Sequence, residues 1–152
     1  LSEKSCPSMM NSIEKLISVS KGVSLLYVED DQILQQETAQ LLKNFFEKID
    51  LAQNGEEGLE LFELGKYEII ITDINMPKVN GVEMVKAIRR KDRHQMIIVI
   101  SAHDEPHYLI DLINAGVQHF LSKPIDLTGL ISVLYEFCVE HQQRAATLSP
   151  DE

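Results

Sequence analysis

The sequence predicts an α/β fold, a doubly wound parallel sheet of five strands with helices on both faces, and three observations carry that reading. Short apolar runs alternate with amphipathic helical patterns five times, the mark of repeated βαβ units. The runs are continuous, as in Ile69-Ile70-Ile71 and Ile97-Ile98-Val99-Ile100, as expected where helices cover both faces of a sheet. Three of them end in charged residues: Glu29-Asp30 after Val28, Asp73 after Thr72, and Lys123 after Ser122. Polar groups at the C-terminal ends of parallel strands line the crevice where open α/β sheets bind ligands.

The strands are expected near residues 23 to 28, 49 to 53, 68 to 72, 96 to 101 and 119 to 122. Before the first, Met9, Met10, Ile13, Leu16 and Ile17 recur at helical spacing, so residues 1 to 22 form an N-terminal extension, helical and packed on the domain or leading in from something upstream. The first helix of the domain places Leu34, Leu41, Leu42, Phe45 and Ile49 on one face and turns Gln35, Gln36, Glu37, Gln40 and Lys43 to water. Asn54-Gly55 signals the turn into a second helix carrying Leu59 and Phe62, and Asn80-Gly81 the break before a third with Met84, Val85 and Ile88. A fourth runs from about Glu105 to Ala115 and stops at Gly116, which suits a helix C-cap. The fifth carries Leu127, Leu130, Ile131, Leu134, Phe137 and Cys138 inward. Residues 142 to 152 lose the periodicity and read as a tail or linker, which leaves 23 to 141 as the domain.

Composition narrows the function. With 44% hydrophobic and 25% charged residues the 152-residue chain reads as an ordinary soluble domain. A net charge of −10 and no Lys/Arg-rich run argue against nucleic acid, which is bound through neutralised phosphates. The longest apolar run, Met96 to Ile100, is far short of the ~20 residues of a membrane helix, and the first residues lack a signal peptide's apolar stretch. Cys6 and Cys138 form neither a zinc spacing nor a CxxC motif, so a reducing, cytoplasmic location is expected.

The strand-end charges carry the chemistry. Clustered carboxylates repel and resist joint ionisation unless a cation compensates them. A hard divalent ion such as Mg²⁺ does so, taking one or two carboxylates together with waters and phosphate oxygens. Each residue alone has a plainer role: an acid before a helix is often its N-cap, Asp73 could start an Asx-turn, and Lys123 could be a solvated lysine. Their joint occurrence at successive strand ends points instead to a metal and phosphoryl site.

Four motifs carry a resemblance to a known family: Tyr27-Val28-Glu29-Asp30-Asp31, Thr72-Asp73-Ile74-Asn75-Met76-Pro77 with Gly81, Val99-Ile100-Ser101-Ala102, and Phe120-Leu121-Ser122-Lys123-Pro124. From Gly22 to about His141 the chain resembles the receiver domain of bacterial two-component response regulators, the chemotaxis-regulator-like domains of flavodoxin-like fold with strand order 2-1-3-4-5. The resemblance implies that Asp73 is the phosphoacceptor, charged by a sensor histidine kinase or phosphotransfer protein. It implies Asp30 and Asp73 as Mg²⁺ ligands, Glu29 as a ligand through water and the Asn75 backbone carbonyl as a further ligand. Lys123 pairs with the acceptor, on a cis Lys123-Pro124 bond. Ser101 and Phe120 are the switch pair, in place of the commoner threonine and tyrosine, and His103 stands where a side chain modulates dephosphorylation. Such domains act on a downstream effector or output domain and commonly dimerise or bind targets through the fourth helix, fifth strand and fifth helix of the domain. They are not enzymes beyond catalysing their own phosphorylation and dephosphorylation. Two alternatives stay open: a haloacid-dehalogenase-type phosphotransferase, whose second aspartate would fall at Asn75, and a degenerate receiver acting as a constitutive interaction module.

Overall fold

The computed structural model describes residues 6–74, 76, 80–101, 106–117 and 119–147. In chain order these form α1 (Cys6–Val19), β1 (Ser24–Val28), α2 (Gln32–Leu42), β2 (Lys48–Ala52), α3 (Gly55–Leu64), β3 (Ile69–Asp73), α4 (Gly81–Lys91), β4 (Met96–Ser101), α5 (Pro106–Asn114), β5 (His119–Ser122) and α6 (Leu127–Thr147). The five strands make one parallel sheet in the order β2-β1-β3-β4-β5, the flavodoxin-like arrangement. The chain reverses direction across the sheet between β1 and β3, which opens a crevice at their C-terminal ends.

Alternate residues along each strand feed two separate cores. Leu25, Tyr27, Ile69, Ile71, Ile98 and Ile100 pack with α2 and α6, whereas Leu26, Val28, Ile70, Ile97 and Val99 pack with α4 and α5. The sheet is therefore covered on both sides along β1, β3 and β4, which is why those strands lack polar alternation; the edge strand β2, Lys48-Ile49-Asp50-Leu51-Ala52, alternates instead, with Lys48 and Asp50 exposed. α4 starts at a capping box in which Asn80 and Glu83 bond each other's backbone N–H groups, and its Arg89, Arg90 and Lys91 complement the helix dipole at the other end. α5 ends at Gly116 with φ +88°, the left-handed residue expected of a C-cap.

α1 packs against α6 and buries Leu16 completely in the α2/α6 core, with Ile13 and Val19 beside it. Ile17 of the same helix remains 39% exposed, so one member of the expected apolar stripe is uncovered; the side chains of Met9 and Met10 lie outside the described residues.

Three expectations are corrected. α2 ends at Leu42, so Phe45 packs from the following turn and Ile49 from β2. Gln35 does not face water: it is 3% exposed, on the stripe Gln35-Thr38-Ala39-Leu42. The last helix runs to Thr147, where a tail from residue 142 was expected. Gln142, Gln143 and Arg144 are solvent-exposed good helix formers, so the helix continues without an apolar stripe to announce it.

Candidate functional site

Three strand ends deliver the charged cluster. The Glu29 N–H donates to the Ala52 carbonyl at 3.0 Å, the last rung between β1 and β2, and leaves the Glu29 side chain 1% exposed. Asp73 is the final residue of β3 and 5% exposed; its Oδ1 accepts the Ile74 N–H at 2.7 Å. Lys123 follows β5, where its N–H donates to the Ser101 carbonyl at 2.8 Å and ties it to the end of β4. From there its Nζ reaches Asp73 Oδ2 at 3.0 Å and Glu29 Oε1 and Oε2 at 3.3 and 3.5 Å. The Lys123-Pro124 bond is cis, as expected.

Of the two aspartates that precede α2, Asp30 and Asp31, the second takes the helix-cap role. Asp31 caps α2, its Oδ1 accepting the N–H groups of Ile33 and Leu34, both at 3.1 Å. Asp30 faces the crevice rim instead, and one oxygen each of Glu29, Asp30 and Asp73 lie within 4.8 Å of one another. Around one octahedral Mg²⁺ at about 2.1 Å, oxygens stand roughly 3 to 4.2 Å apart, so this set fits a cation held by some carboxylates directly and by another through a water.

The charges do not balance. Three carboxylates face one ammonium, and burial, then the neighbouring Asp73, raise the Glu29 pKa to about 7 against partial relief from the Asp31 N–H and Lys123. For Lys123 burial alone would lower the pKa, but its bond to Asp73 and the charges of Asp73 and Glu29 outweigh that and raise it. The ammonium is therefore fixed in its charged form at neutral pH.

Gly81 shapes the rim. A Cβ there would stand 2.2 Å from the Asp73 carbonyl oxygen and 2.8 Å from Ile74 Cα, so only glycine lets the α4 N-terminus close against the strand end. Ser101, half-buried, continues the alternation of Ile97 and Val99 toward the α4/α5 core, and Phe120, paired with Val99, packs partly into that same core. Those two residues thus share one face of the sheet. Asn75 and His103, to which the resemblance gives a metal-ligand and a modulating role, lie outside the described residues.

Two contributors escaped the sequence reading. The fully buried Tyr27 donates its hydroxyl to Glu29 Oε1 at a long 3.4 Å, and burial raises its pKa. Gln35 donates Nε2 to the carbonyls of Glu29 and Ala52 at 3.1 and 2.8 Å. Its signal was present: Gln35, Thr38, Ala39 and Leu42 repeat at three, four and seven, the spacing of a buried stripe.

Known proteins are similar to this chain in sequence and fold. The chain is 31% identical over 114 residues to the chemotaxis protein CheY of Thermotoga maritima, covering 74% of this chain and 95% of that protein. It is 34% identical over 128 residues to the osmosensing histidine protein kinase SLN1 of Saccharomyces cerevisiae, covering 80% of this chain but 10% of the kinase. The crystal structure of the N-terminal domain of an uncharacterized protein from Wolinella succinogenes superposes with TM-score 0.78 at 37% identity, covering 82% of this chain and all of that one. The chain spans 10% of the yeast kinase and 28% and 48% of the length of two further curated relatives. No described helix is long and apolar enough to cross a membrane. With a parallel 2-1-3-4-5 sheet, acids after β1 and at the end of β3 and a lysine after β5, and with residues 25–135 matching the response regulator receiver domain model, the chain belongs to the response regulator receiver domain family.

Proposed function

We propose that this receiver is a phosphoacceptor switch in a two-component phosphorelay, and that Asp73 is the acceptor. The observation that carries the reading is the Lys123 ammonium 3.0 Å from Asp73 Oδ2 inside a cluster of three carboxylates that one cation can bridge. An Asp73 oxygen attacks the phosphorus of a phosphohistidine on a sensor histidine kinase or phosphotransfer protein. The P–N bond breaks, and the imidazole leaves with its electron pair. Phosphoryl transfer needs positioning and charge neutralisation more than covalent chemistry, so a carboxylate, an ammonium and a metal suffice. Mg²⁺, held by Asp30 and Asp73 directly, Glu29 through water and the Asn75 carbonyl, would neutralise charge on the incoming phosphoryl oxygens. Lys123 would keep its place beside Asp73 and pass to a phosphoryl oxygen. The domain acts on no separate substrate and catalyses only its own phosphorylation and dephosphorylation, the latter modulated by His103. Its location is the cytoplasm, where such donors work.

The phosphoryl group, with a charge of roughly −2 and three acceptor oxygens, draws in the Ser101 hydroxyl. Phe120, on the same face of the sheet, then takes the more buried position. The surface of α5, β5 and α6 would change with it and dock a downstream effector, an output domain or a second copy. Leu109, Ile110 and Ile113 of α5 are 40%, 62% and 55% exposed there, an apolar surface of the kind that marks an interaction site.

Incubation with Mg²⁺ and acetyl phosphate tests the assignment. Intact mass should show one phosphoryl adduct on the native protein and none on Asp73→Asn or after chelation. An undiminished adduct on Asp73→Asn would refute the acceptor, and repeated turnover of a phosphoester with no adduct would favour the phosphotransferase alternative.

A further inference from the structure

Gln35 sits in the first turn of α2, 3% exposed, with its side-chain amide wedged at the end of the β1–β2 ladder. The Ala52 carbonyl accepts both the Glu29 N–H at 3.0 Å and Gln35 Nε2 at 2.8 Å, and the same Nε2 donates to the Glu29 carbonyl at 3.1 Å. The Glu29 backbone is therefore held on both sides. In a regular parallel ladder the next donor for that carbonyl would come from the neighbouring strand. Here β2 has ended at Ala52, and Asn54 turns away to cap α3. A helix side chain supplies the missing rung.

We infer that Gln35 is a positioning residue for the cation site, an inference that rests on reading the acidic cluster as that site. Fixing the Glu29 carbonyl fixes the peptide plane between Glu29 and Asp30, and so the directions from which both carboxylates leave the chain. Without that restraint, repulsion among Glu29, Asp30 and Asp73 would open the loop in the metal-free protein. An amide suits the task because it offers two donors to two carbonyls and adds no charge. A residue that holds a ligand-bearing segment in place acts on metal affinity without touching the metal, as partners of ligands commonly do.

The test is a calorimetric Mg²⁺ titration of the full chain as wild type, Gln35→Met and Leu42→Ala. Methionine fills a similar volume but donates nothing; Leu42 is fully buried on the same helix and its loss removes core packing alone. Gln35→Met should raise the Mg²⁺ Kd by about 10- to 100-fold. Leu42→Ala should leave it within about twofold even where it lowers Tm further. If Gln35→Met does not fold, Gln35→Asn, with its amide one methylene short of the two carbonyls, should weaken binding in the same direction. Unchanged affinity in the Gln35 variant overturns the inference, as does equal weakening in Leu42→Ala, which would make the effect general loss of stability. A wild type that binds no Mg²⁺ removes the metal reading itself, and the positioning role with it.

Discussion

Two glutamates at opposite ends of the same sheet carry opposite shifts. Glu29, at the C-terminal end, is buried against another carboxylate and its pKa rises to about 7. Glu68 precedes β3 at the N-terminal end, where its Oε1 accepts the Ser24 N–H at 2.7 Å and the Ser24 hydroxyl at 2.5 Å. Burial pushes the Glu68 pKa up as well, but the two Ser24 bonds and the charge of His141 outweigh it and the pKa falls. Next to it, Gln95 Nε2 donates to the Glu68 carbonyl at 3.2 Å and Arg89 bonds the carbonyls of Ala115 and Gln95, both at 2.7 Å. One end of the sheet satisfies its polar groups internally and the other keeps an uncompensated negative charge. Stability explains the first end, whereas the second is where the proposed cation and phosphoryl group would bind.

That contrast can be broken most severely at Gly81. Gly81→Ala should destabilise the protein by about 3 kcal/mol in urea unfolding, because the new methyl meets backbone at Asp73 and Ile74 rather than a side chain that can move. A loss below ~0.5 kcal/mol would mean the rim is more plastic than the structure implies.

The pH dependence of the metal-free protein sharpens it next. A carboxyl whose folded pKa is raised contributes stability below its ordinary value, and that contribution is lost as pH rises through about 7. Metal-free wild type should therefore weaken between pH 4.5 and 8 by up to ~3 kcal/mol on account of Glu29, and Glu29→Gln should flatten the slope. Retention of the full slope in Glu29→Gln would assign it elsewhere. Of the two metal acids, Asp30→Ala should weaken Mg²⁺ binding about tenfold more than Glu29→Ala if Asp30 binds directly and Glu29 through water. Equal affinities would remove that ranking.

The smallest effect is at the other end. Glu68→Ala should destabilise by about 1 to 2 kcal/mol at pH 7, through its lost bonds to Ser24. The Glu68 contribution has the opposite sign with pH: it is present above the ordinary glutamate value and lost as pH falls below it. Its effect on Mg²⁺ binding should be nil.

Which parts of this were legible in the sequence follows from how local their causes are. The five strands fall within one residue of their expected bounds, most plainly in β3 and β4, whose unbroken Ile and Val runs have no competing reading. The acids and the lysine were legible as strand-end residues, and the distances among Glu29, Asp30, Asp73 and Lys123 agree with that placement. Gln35 was misread because a polar residue in an amphipathic helix defaults to solvent, and only the course of β2, which ends at Ala52, brings the Ala52 carbonyl beside that of Glu29 for its amide to serve. Whether Asp30 or Asp31 capped α2 was equally a matter of tertiary geometry. The run of α6 to Thr147 went unseen because exposed helix carries propensity but no stripe.

The most direct test of the two-ended account is an NMR titration of the metal-free protein with Mg²⁺. The account predicts saturable amide shifts at Glu29, Asp30, Asp31, Asp73, Ile74 and Lys123, with Ser24, Glu68 and Gln95 unmoved. Shifts spread evenly over both ends, or none at Asp30 and Asp73 at millimolar Mg²⁺, would contradict it.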